Sequence, residues 1–108
     1  MCYDDVNLPE SLDALVVALC ADYGRMRSAA ESGELSYRTT MEYRYYSFKM
    51  YDAAAEIVGE LMAQTYISEI GARRGYAKSE VEGVSELTYK RRKKSVKINI
   101  ARKLHLAD

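Results

Sequence analysis

The longest amphipathic pattern in the chain spans residues 37–70, which read YRTTMEYRYYSFKMYDAAAEIVGELMAQTYISEI. Apolar side chains recur there at steps of three or four residues, at Met41, Tyr45, Phe48, Tyr51, Ala55, Val58, Met62, Tyr66 and Ile70. These steps place the side chains on one helix face, because an α-helix makes a turn every ~3.6 residues. A second series widens this face and comprises Met50, Ala54, Ile57 and Leu61. The pattern predicts one long helix that is central to the core or to a dimer seam.

Capping residues predict where this helix and the preceding one begin and end. Ser36 is a good N-cap for the long helix, and Gly75 is expected to close it. An earlier amphipathic helix has Pro9 in its first turn and ends near Gly33, which can adopt the left-handed conformation. Gly59 lies within the long helix and marks either a kink or a close helix crossing.

A last helix is predicted to begin at its N-cap, Ser85, and to run to about Leu104. A short helical segment over residues 77–82 and a turn at Gly83 precede it. The side chains of the last helix that can face inward are Leu87, Tyr89, Val96, Ile100 and Leu104. The core is predicted where the apolar faces of the helices overlap, at Leu15, Leu19, Phe48, Ile57, Leu61 and Val96. The predicted fold class is therefore a small all-α bundle with one long central helix.

Size and composition predict a single domain over residues 1–108, with a helical core of acidic bias over residues 1–75 and a basic helix-turn-helix-like segment over residues 76–108. Apolar side chains make up 48% of the chain, and with only six glycines and one proline long stretches lack turn-forming clusters, which argues against a sheet of short strands. No apolar run approaches the ~20 residues of a membrane-spanning helix, and acidic residues stand where a signal peptide would be basic. We expect a cytoplasmic protein.

Residues able to support catalysis or to bind a metal are sparse. Cys2 and Cys20 lie in different surroundings and are interpreted as free thiols. Together with the single histidine, His105, they cannot supply the three or four close ligands that zinc requires. No nucleophile has a base beside it in a recognisable motif, and no glycine-rich phosphate loop occurs. We expect no enzymatic activity, no metal and no cofactor.

The charges of the chain are segregated although the net charge is zero. Residues 1–70 carry five basic and twelve acidic side chains, a net charge of −7, whereas residues 71–108 carry eleven basic and four acidic side chains, a net charge of +7. Clustered Lys and Arg favour a polyanionic partner, because binding to phosphates releases condensed counterions. The alternative is self-neutralisation, in which the acidic part packs on the basic part within a monomer or across a dimer.

Residues 83–94, GVSELTYKRRKK, have the layout of the second half of a helix-turn-helix unit. Gly83 permits a turn, Val84 packs that turn into the core, and Ser85 caps the helix. The first exposed side chains of such a helix face base edges, and basic side chains one turn later reach phosphates. An alternative register places the turn at Gly75, but both registers make the last helix the basic surface.

The same region resembles a known family. Residues 85–94, continuing to Ile100 and Ala101, are similar to the C-terminal helix of small phage-encoded transcription regulators, the ArpU-type late-gene activators, which are similar in turn to DNA-binding region 4 of sigma factors. The resemblance covers residues 76–104 and implies a helix-turn-helix regulator of phage or prophage type that reads duplex DNA. Helix-turn-helix proteins commonly use two half-sites, so a homodimer is also expected.

The resemblance implies roles for the side chains at the start of the last helix. The base-reading end comprises Ser85, Glu86, Thr88 and Tyr89. The side chains that face phosphates are Arg91, Arg92 and Lys94. The remaining members of the predicted nucleic-acid-binding set are Lys90, Lys93 and Lys97.

Three alternatives stay open from the sequence alone. The basic run can be a solvated face that only keeps the protein soluble. The chain can instead be a protein-binding adaptor, or an inhibitor of a nucleic-acid enzyme whose acidic part mimics phosphate. An aromatic cluster could stack on bases, although tyrosines at helical spacing are more often half-buried packing residues. This cluster comprises Tyr43, Tyr45, Tyr46, Phe48 and Tyr51.

Overall fold

The computed structural model describes residues 6–107, which form four α-helices and one 3-10 helix. The α-helices are α1 (Glu10–Ser32), α2 (Tyr37–Val58), α3 (Glu60–Gly71) and α4 (Glu86–Lys103), and the 3-10 helix is Tyr76–Lys78. No strand occurs among the described residues, so the prediction of a small all-α bundle is confirmed. Within residues 6–107, every helix is too short or too polar to span a membrane. Cys20 is a buried free thiol, whereas Cys2 lies outside the described residues.

Gly59 divides the predicted long helix into α2 and α3. Its φ of 86° and ψ of 161° are readily adopted by glycine and rarely by other residues. Its N–H donates to the carbonyl of Ala55 at 2.9 Å, and α3 begins at the next residue. Only its own neighbours lie within 4 Å of the position that a Cβ would occupy, so Gly59 marks a break between helices and not a close helix crossing. The prediction of one continuous helix is therefore wrong.

Serine and glycine signals at three other helix ends are confirmed. The Ser36 hydroxyl accepts a hydrogen bond from the N–H of Thr39 at 3.2 Å, and the Ser85 hydroxyl accepts one from the N–H of Thr88 at 3.2 Å. Gly33 follows α1 with a φ of 75°. These contacts satisfy amides that have no partner inside their own helix, which favours helix initiation at the predicted residues.

The end of α3 differs from the prediction. Gly75 does not close the helix and has an extended backbone with a φ of −87°. Arg73 takes the left-handed position with a φ of 56°. The N–H of Arg73 donates to the carbonyl of Ile70, and the N–H of Arg74 donates to the carbonyl of Glu69, both at 3.1 Å. This pair of bonds is the Schellman motif, here closed by arginine where glycine is usual.

The second half of α4 lies at the centre of the molecule. Its buried residues cover most of the circumference of the helix and are Ser95, Val96, Ile98, Asn99, Ile100 and Ala101. The side-chain amide of Asn99 donates to the carbonyl of Ala53 at 2.8 Å and so links α4 to α2. Because the second half is enclosed by the other helices, the first turns of α4 are the part of this helix that can meet a partner.

Three of the six predicted core side chains are in fact exposed. They are Leu15 (44% exposed), Phe48 (66%) and Leu61 (97%). Val96 is fully buried as predicted, whereas Leu19 and Ile57 are partly buried against the core. Leu87, which was expected to face inward from α4, is also largely exposed. These errors share a cause. An apolar series with steps of three or four residues shows which side chains share a face, but not which part of a wide face the other helices cover.

Leu61 and Ile67 lie on opposite faces of α3 and provide a matched pair of substitutions. Leu61 follows the break at Gly59, which changes the helical phase of the series, and it points away from buried Ile67. We expect Leu61→Ala to change the free energy of unfolding by less than about 0.5 kcal/mol, as is usual for exposed positions. Ile67→Ala should lower it by about 2 to 5 kcal/mol. Urea unfolding measures both, and a larger loss for Leu61→Ala would show that the faces of α3 are reversed.

Candidate nucleic-acid interface

The first turns of α4 and the N-cap before them, residues 85–94, form the candidate interface and are called the α4 start below. Its exposed side chains are Ser85, Glu86, Leu87, Lys90, Arg91 and Arg92. Lys90 follows Glu86 by one helical turn and forms an ion pair with it at 3.0 Å. Arg92 is exposed and forms no ion pair with any other described residue. Lys94, which was expected to face a phosphate, is half-buried.

Ser85 and Thr88 are occupied by the cap itself. The Ser85 hydroxyl accepts a hydrogen bond from the N–H of Thr88, and it also lies 3.0 Å from the Thr88 hydroxyl. Thr88 is half-buried, whereas Ser85 is exposed. Of the residues predicted to lie nearest the bases, Ser85 and Glu86 are therefore the two that are exposed.

Tyr89 does not belong to the exposed surface, and its predicted role near the bases is wrong. Its side chain is 1% exposed, and its ring centre lies 6.0 Å from that of Tyr66 and 5.7 Å from that of Tyr76. Its hydroxyl lies 3.1 Å from a Glu69 carboxylate oxygen and 3.2 Å from the carbonyl of Arg74. Since the side chain is held in the core, it fixes α4 against α3 and cannot reach a base edge.

The buried carboxylate of Glu69 organises the connection between α3 and α4. Glu69 is 1% exposed. Its oxygens accept hydrogen bonds from the hydroxyls of Ser79 and Tyr89, the guanidinium of Arg74 and the N–H of Glu80. Arg74 also forms an ion pair with Glu80 at 3.0 Å. A buried charge is tolerated when it is paired and hydrogen-bonded in this way, so these contacts fix the chain that leads into α4.

The protonation states of this network follow from its contacts. Burial acts to raise the pKa of the Glu69 carboxyl, but hydrogen bonds led by those from Ser79 and Tyr89 outweigh it and hold the pKa below its ordinary value. Glu69 is therefore ionised at neutral pH. Burial also raises the pKa of the Tyr89 hydroxyl, so that group keeps its proton and can donate it in a hydrogen bond.

Two lysines of the predicted binding set are engaged inside the fold. The ammonium of Lys93 donates to the carbonyl of Arg74 at 2.6 Å and lies 5.0 Å from the centre of the Tyr89 ring. Burial lowers the pKa of Lys93. The ammonium of Lys97 lies 2.8 Å from the carboxylate of Asp13 in α1. Both lysines would have to leave these contacts to reach a phosphate, so we place them outside the interface.

Ion pairs join the acidic part of the chain to the basic part. Besides the Lys97–Asp13 pair, the ammonium of Lys103 lies 3.2 Å from the carboxylate of Asp52 and 2.8 Å from that of Glu56. Self-neutralisation within the monomer therefore accounts for part of the segregated charge. The basic side chains of residues 71–107 that stay exposed are Arg73, Lys78, Lys90, Arg91, Arg92 and Arg102.

The turn before α4 matches the predicted helix-turn-helix layout only in part. Gly83 has a φ of 77°, and Val84 packs against the core, as predicted for a turn held in place. Residues 77–82 do not form the expected supporting helix, because the helical part is a single 3-10 turn, Tyr76–Lys78. Helix α4 packs against α1, α2 and α3, and residues 72–85 connect α3 to α4 where a tight turn was predicted.

Sequence reasoning missed Glu69 and the connection that it holds. An acidic residue on the buried face of an amphipathic helix, directly before the apolar Ile70, was the available signal. The carbonyl of Arg74 contacts Tyr89 and Lys93, so the connection runs alongside the first turns of α4.

No protein-family model matches this sequence, and no curated protein or solved structure matches it either. The resemblance of residues 76–104 to phage-encoded regulators stays a prediction.

Proposed function

We propose that this chain binds duplex DNA through the α4 start and acts as a regulatory protein of phage or prophage type. Arg91 and Arg92 contact phosphates, with Lys90 beside them. Ser85 and Glu86 lie nearer the base edges, where the first side chains of a docked helix are placed. The charge segregation and the resemblance of the last helix to phage-encoded regulators support this proposal.

The observation that carries the proposal is the exposure of Arg91 and Arg92 on helical turns that are fixed to the rest of the fold. Tyr89 and Lys93 of the same turns are held by Glu69 and the carbonyl of Arg74. Such a helix loses little backbone freedom when its exposed face docks, which lowers the entropic cost of binding. The guanidinium group also matches phosphate geometry with two parallel hydrogen bonds.

The N-terminus of α4 adds to the same surface. Its first amide groups point toward solvent, and a helix N-terminus has a partial positive charge that attracts phosphate. Ser85 satisfies one of these amides, and Glu86 in the first turn is paired with Lys90. The remaining amides can therefore meet a phosphate oxygen at the point where the basic side chains begin.

The double variant Arg91→Ala, Arg92→Ala tests this surface. We expect it to bind every duplex more weakly than the parent chain and to reduce the slope of log K against log salt concentration by about 0.9 per lost phosphate contact. Fluorescence anisotropy with labelled duplexes at several salt concentrations measures both effects. The fold should be unchanged, because both side chains are exposed, and circular dichroism checks this.

A matched control is available in α1. Arg25→Ala, Arg27→Ala removes two exposed arginines that are paired with acidic residues of their own helix. This control should leave the affinity and the salt slope unchanged. Equal losses of affinity in the two double variants would mean that net charge alone governs binding. If the Arg91→Ala, Arg92→Ala variant binds DNA as tightly as the parent chain, the basic run is only a solvated face.

The alternative of a phosphate-mimicking inhibitor has less support from the charges. Most acidic side chains of the described residues before position 71 are already paired with basic residues. The pairs are Asp13–Lys97, Asp22–Arg25, Glu31–Arg27, Glu42–Arg38, Asp52–Lys103, Glu56–Lys103 and Glu69–Arg74. Acidic groups that are neutralised within the chain present a weaker imitation of a phosphate backbone.

A further inference from the structure

One face of α2 exposes a row of large apolar side chains. These residues are called the α2 stripe and comprise Tyr37, Met41, Tyr45 and Phe48. Their exposed fractions range from 44% to 82%. Steps of four, four and three residues align them along one side of the helix, whereas the buried side chains of α2 lie on the other side. A contiguous apolar row of this kind is typical of a surface that binds another protein.

The α2 stripe is the part of the predicted wide apolar face that the core does not cover. Met50 and Ala54, from the second series of that face, are fully buried in the core of their own chain. Tyr45 and Phe48, from the first series, stay in solvent. Within residues 6–107, α1, α3 and α4 all pack against α2, but none of them covers the stripe.

We propose that the α2 stripe binds the α2 stripe of a second copy of this chain, with the two helices antiparallel and Tyr45 at the twofold axis. A residue that precedes Tyr45 then faces the residue that follows Tyr45 by the same number of positions in the second copy. Met41 precedes Tyr45 by four residues and Phe48 follows it by three, so Met41 of one copy lies within ~1.5 Å of the level of Phe48 of the other, and each chain contributes both contacts. The two Tyr45 rings meet at the centre.

The charges beside the stripe are complementary in this register. Arg38 precedes Tyr45 by seven residues and Asp52 follows it by seven, so Arg38 faces Asp52 of the second copy. Glu42 precedes Tyr45 by three residues and Lys49 follows it by four. Glu42 of one copy and Lys49 of the other therefore differ in position along the helix axis by only ~1.5 Å. Each pair occurs twice, which gives four ion pairs across the interface.

The lateral positions of these charges agree with the same arrangement. At ~100° per residue, Arg38, Glu42 and Lys49 all flank the same side of the α2 stripe. In an antiparallel pair related by a twofold axis, each side of one stripe meets the same side of the other. Arg38 and Glu42, which pair with each other at 3.4 Å within one chain, are largely exposed, and the carboxylate of Asp52 stays partly exposed beside Lys103. Lys49 is half-buried, with its ammonium 5.8 Å from the centre of the Tyr45 ring. The contacts across the dimer would replace or share the pairs within each chain.

The mixed charges favour a second copy over a nucleic acid. Lys49 lies over the Tyr45 ring, with its ammonium 5.8 Å from the ring centre, but Glu42 and Asp52 flank the stripe along the helix and would repel phosphates. The tyrosines of α2 therefore lack the uniformly basic surroundings that suit base stacking. The proposal does not rest on DNA binding. If both hold, the dimer supplies two copies of the α4 start, as recognition of two half-sites requires.

Sedimentation equilibrium of the full chain and two variants tests the interface without any DNA. The parent chain should be a dimer, and Phe48→Glu should shift it to a monomer, because a buried unpaired carboxylate would occur twice at the contact. Leu61→Glu is the matched control, since it places the same charge at an exposed leucine outside the stripe, and it should stay dimeric. A parent chain that remains monomeric up to ~1 mM would overturn the proposal, even if another protein binds the stripe.

Charge exchange tests the register. Glu42→Lys should raise the dimer dissociation constant by about tenfold or more, because each copy then sets the introduced ammonium group against Lys49 of the other. The double variant Glu42→Lys, Lys49→Glu restores opposite charges and should recover most of the affinity. Glu42 and Lys49 are two helical turns apart within one chain, so this recovery requires a second copy. A double variant no tighter than Glu42→Lys would overturn this register.

Discussion

Glu69→Ala is expected to lower the free energy of unfolding by about 3 to 5 kcal/mol, because the substitution leaves buried donors without their acceptor. The hydroxyls of Ser79 and Tyr89 and the N–H of Glu80 lose a partner that water cannot easily replace. Urea unfolding measures the loss. Glu82→Ala is the control, since Glu82 is exposed and should change stability by less than about 0.5 kcal/mol. Equal effects of the two substitutions would contradict the buried network.

The same carboxylate makes part of the stability depend on pH. The folded pKa of Glu69 lies below its ordinary value of 4.5, so its stabilising contribution is fully present above that value. The contribution is lost as the pH falls below 4.5 through the lower folded pKa. Glu69→Gln keeps the size of the side chain without the charge and should be less stable than the parent at pH 7. The difference should shrink in acid, and a difference independent of pH would contradict an ionised Glu69.

Gly71→Ala is expected to lower the free energy of unfolding by about 3 kcal/mol, because overpacking against a backbone cannot relax through side-chain motion. A Cβ at Gly71 would lie 2.6 Å from the backbone nitrogen of Ala21 and 2.7 Å from the carbonyl carbon of Cys20, so α3 and α1 would have to move apart. Thermal or urea unfolding measures the change.

Gly24 in the middle of α1 provides the opposite case. Nothing beyond its own helix lies within 4 Å of an added Cβ, so Gly24→Ala should stabilise the chain by about 0.5 to 1 kcal/mol through helix propensity. The two alanine variants should therefore shift stability in opposite directions. Destabilisation by both, to a similar extent, would show that the approach of α3 to α1 at Gly71 is not close.

Local signals predicted three of the helix ends because capping depends on neighbouring residues, whereas Gly75 did not close α3. Ser36 and Ser85 each bond an amide three residues later, and Gly33 takes a left-handed backbone, as their types predict. Gly59 could not be interpreted in the same way. The apolar pattern continues through it, and only the packing of α3 against α1 and α2 distinguishes a break from a kink.

The candidate site was predictable in charge but not in exposure. A basic run shows which residues can contact phosphates. It does not show that Lys97 forms an ion pair with Asp13, because the two residues are far apart in the sequence. Tyr89 has the same limitation, since its burial depends on Glu69 in another helix. Arg91 and Arg92 are exposed as predicted because they lie on the part of the first turns of α4 that the rest of the fold does not cover.

The affinity of the parent chain for a duplex of random sequence, measured from low to high salt, tests DNA binding most directly. If the α4 start neutralises two to four phosphates, log K should fall linearly with log salt concentration with a slope of about −2 to −4. Specific and non-specific duplexes share this electrostatic component, so the target sequence need not be known. No measurable binding at the lowest salt concentration would contradict the proposed function.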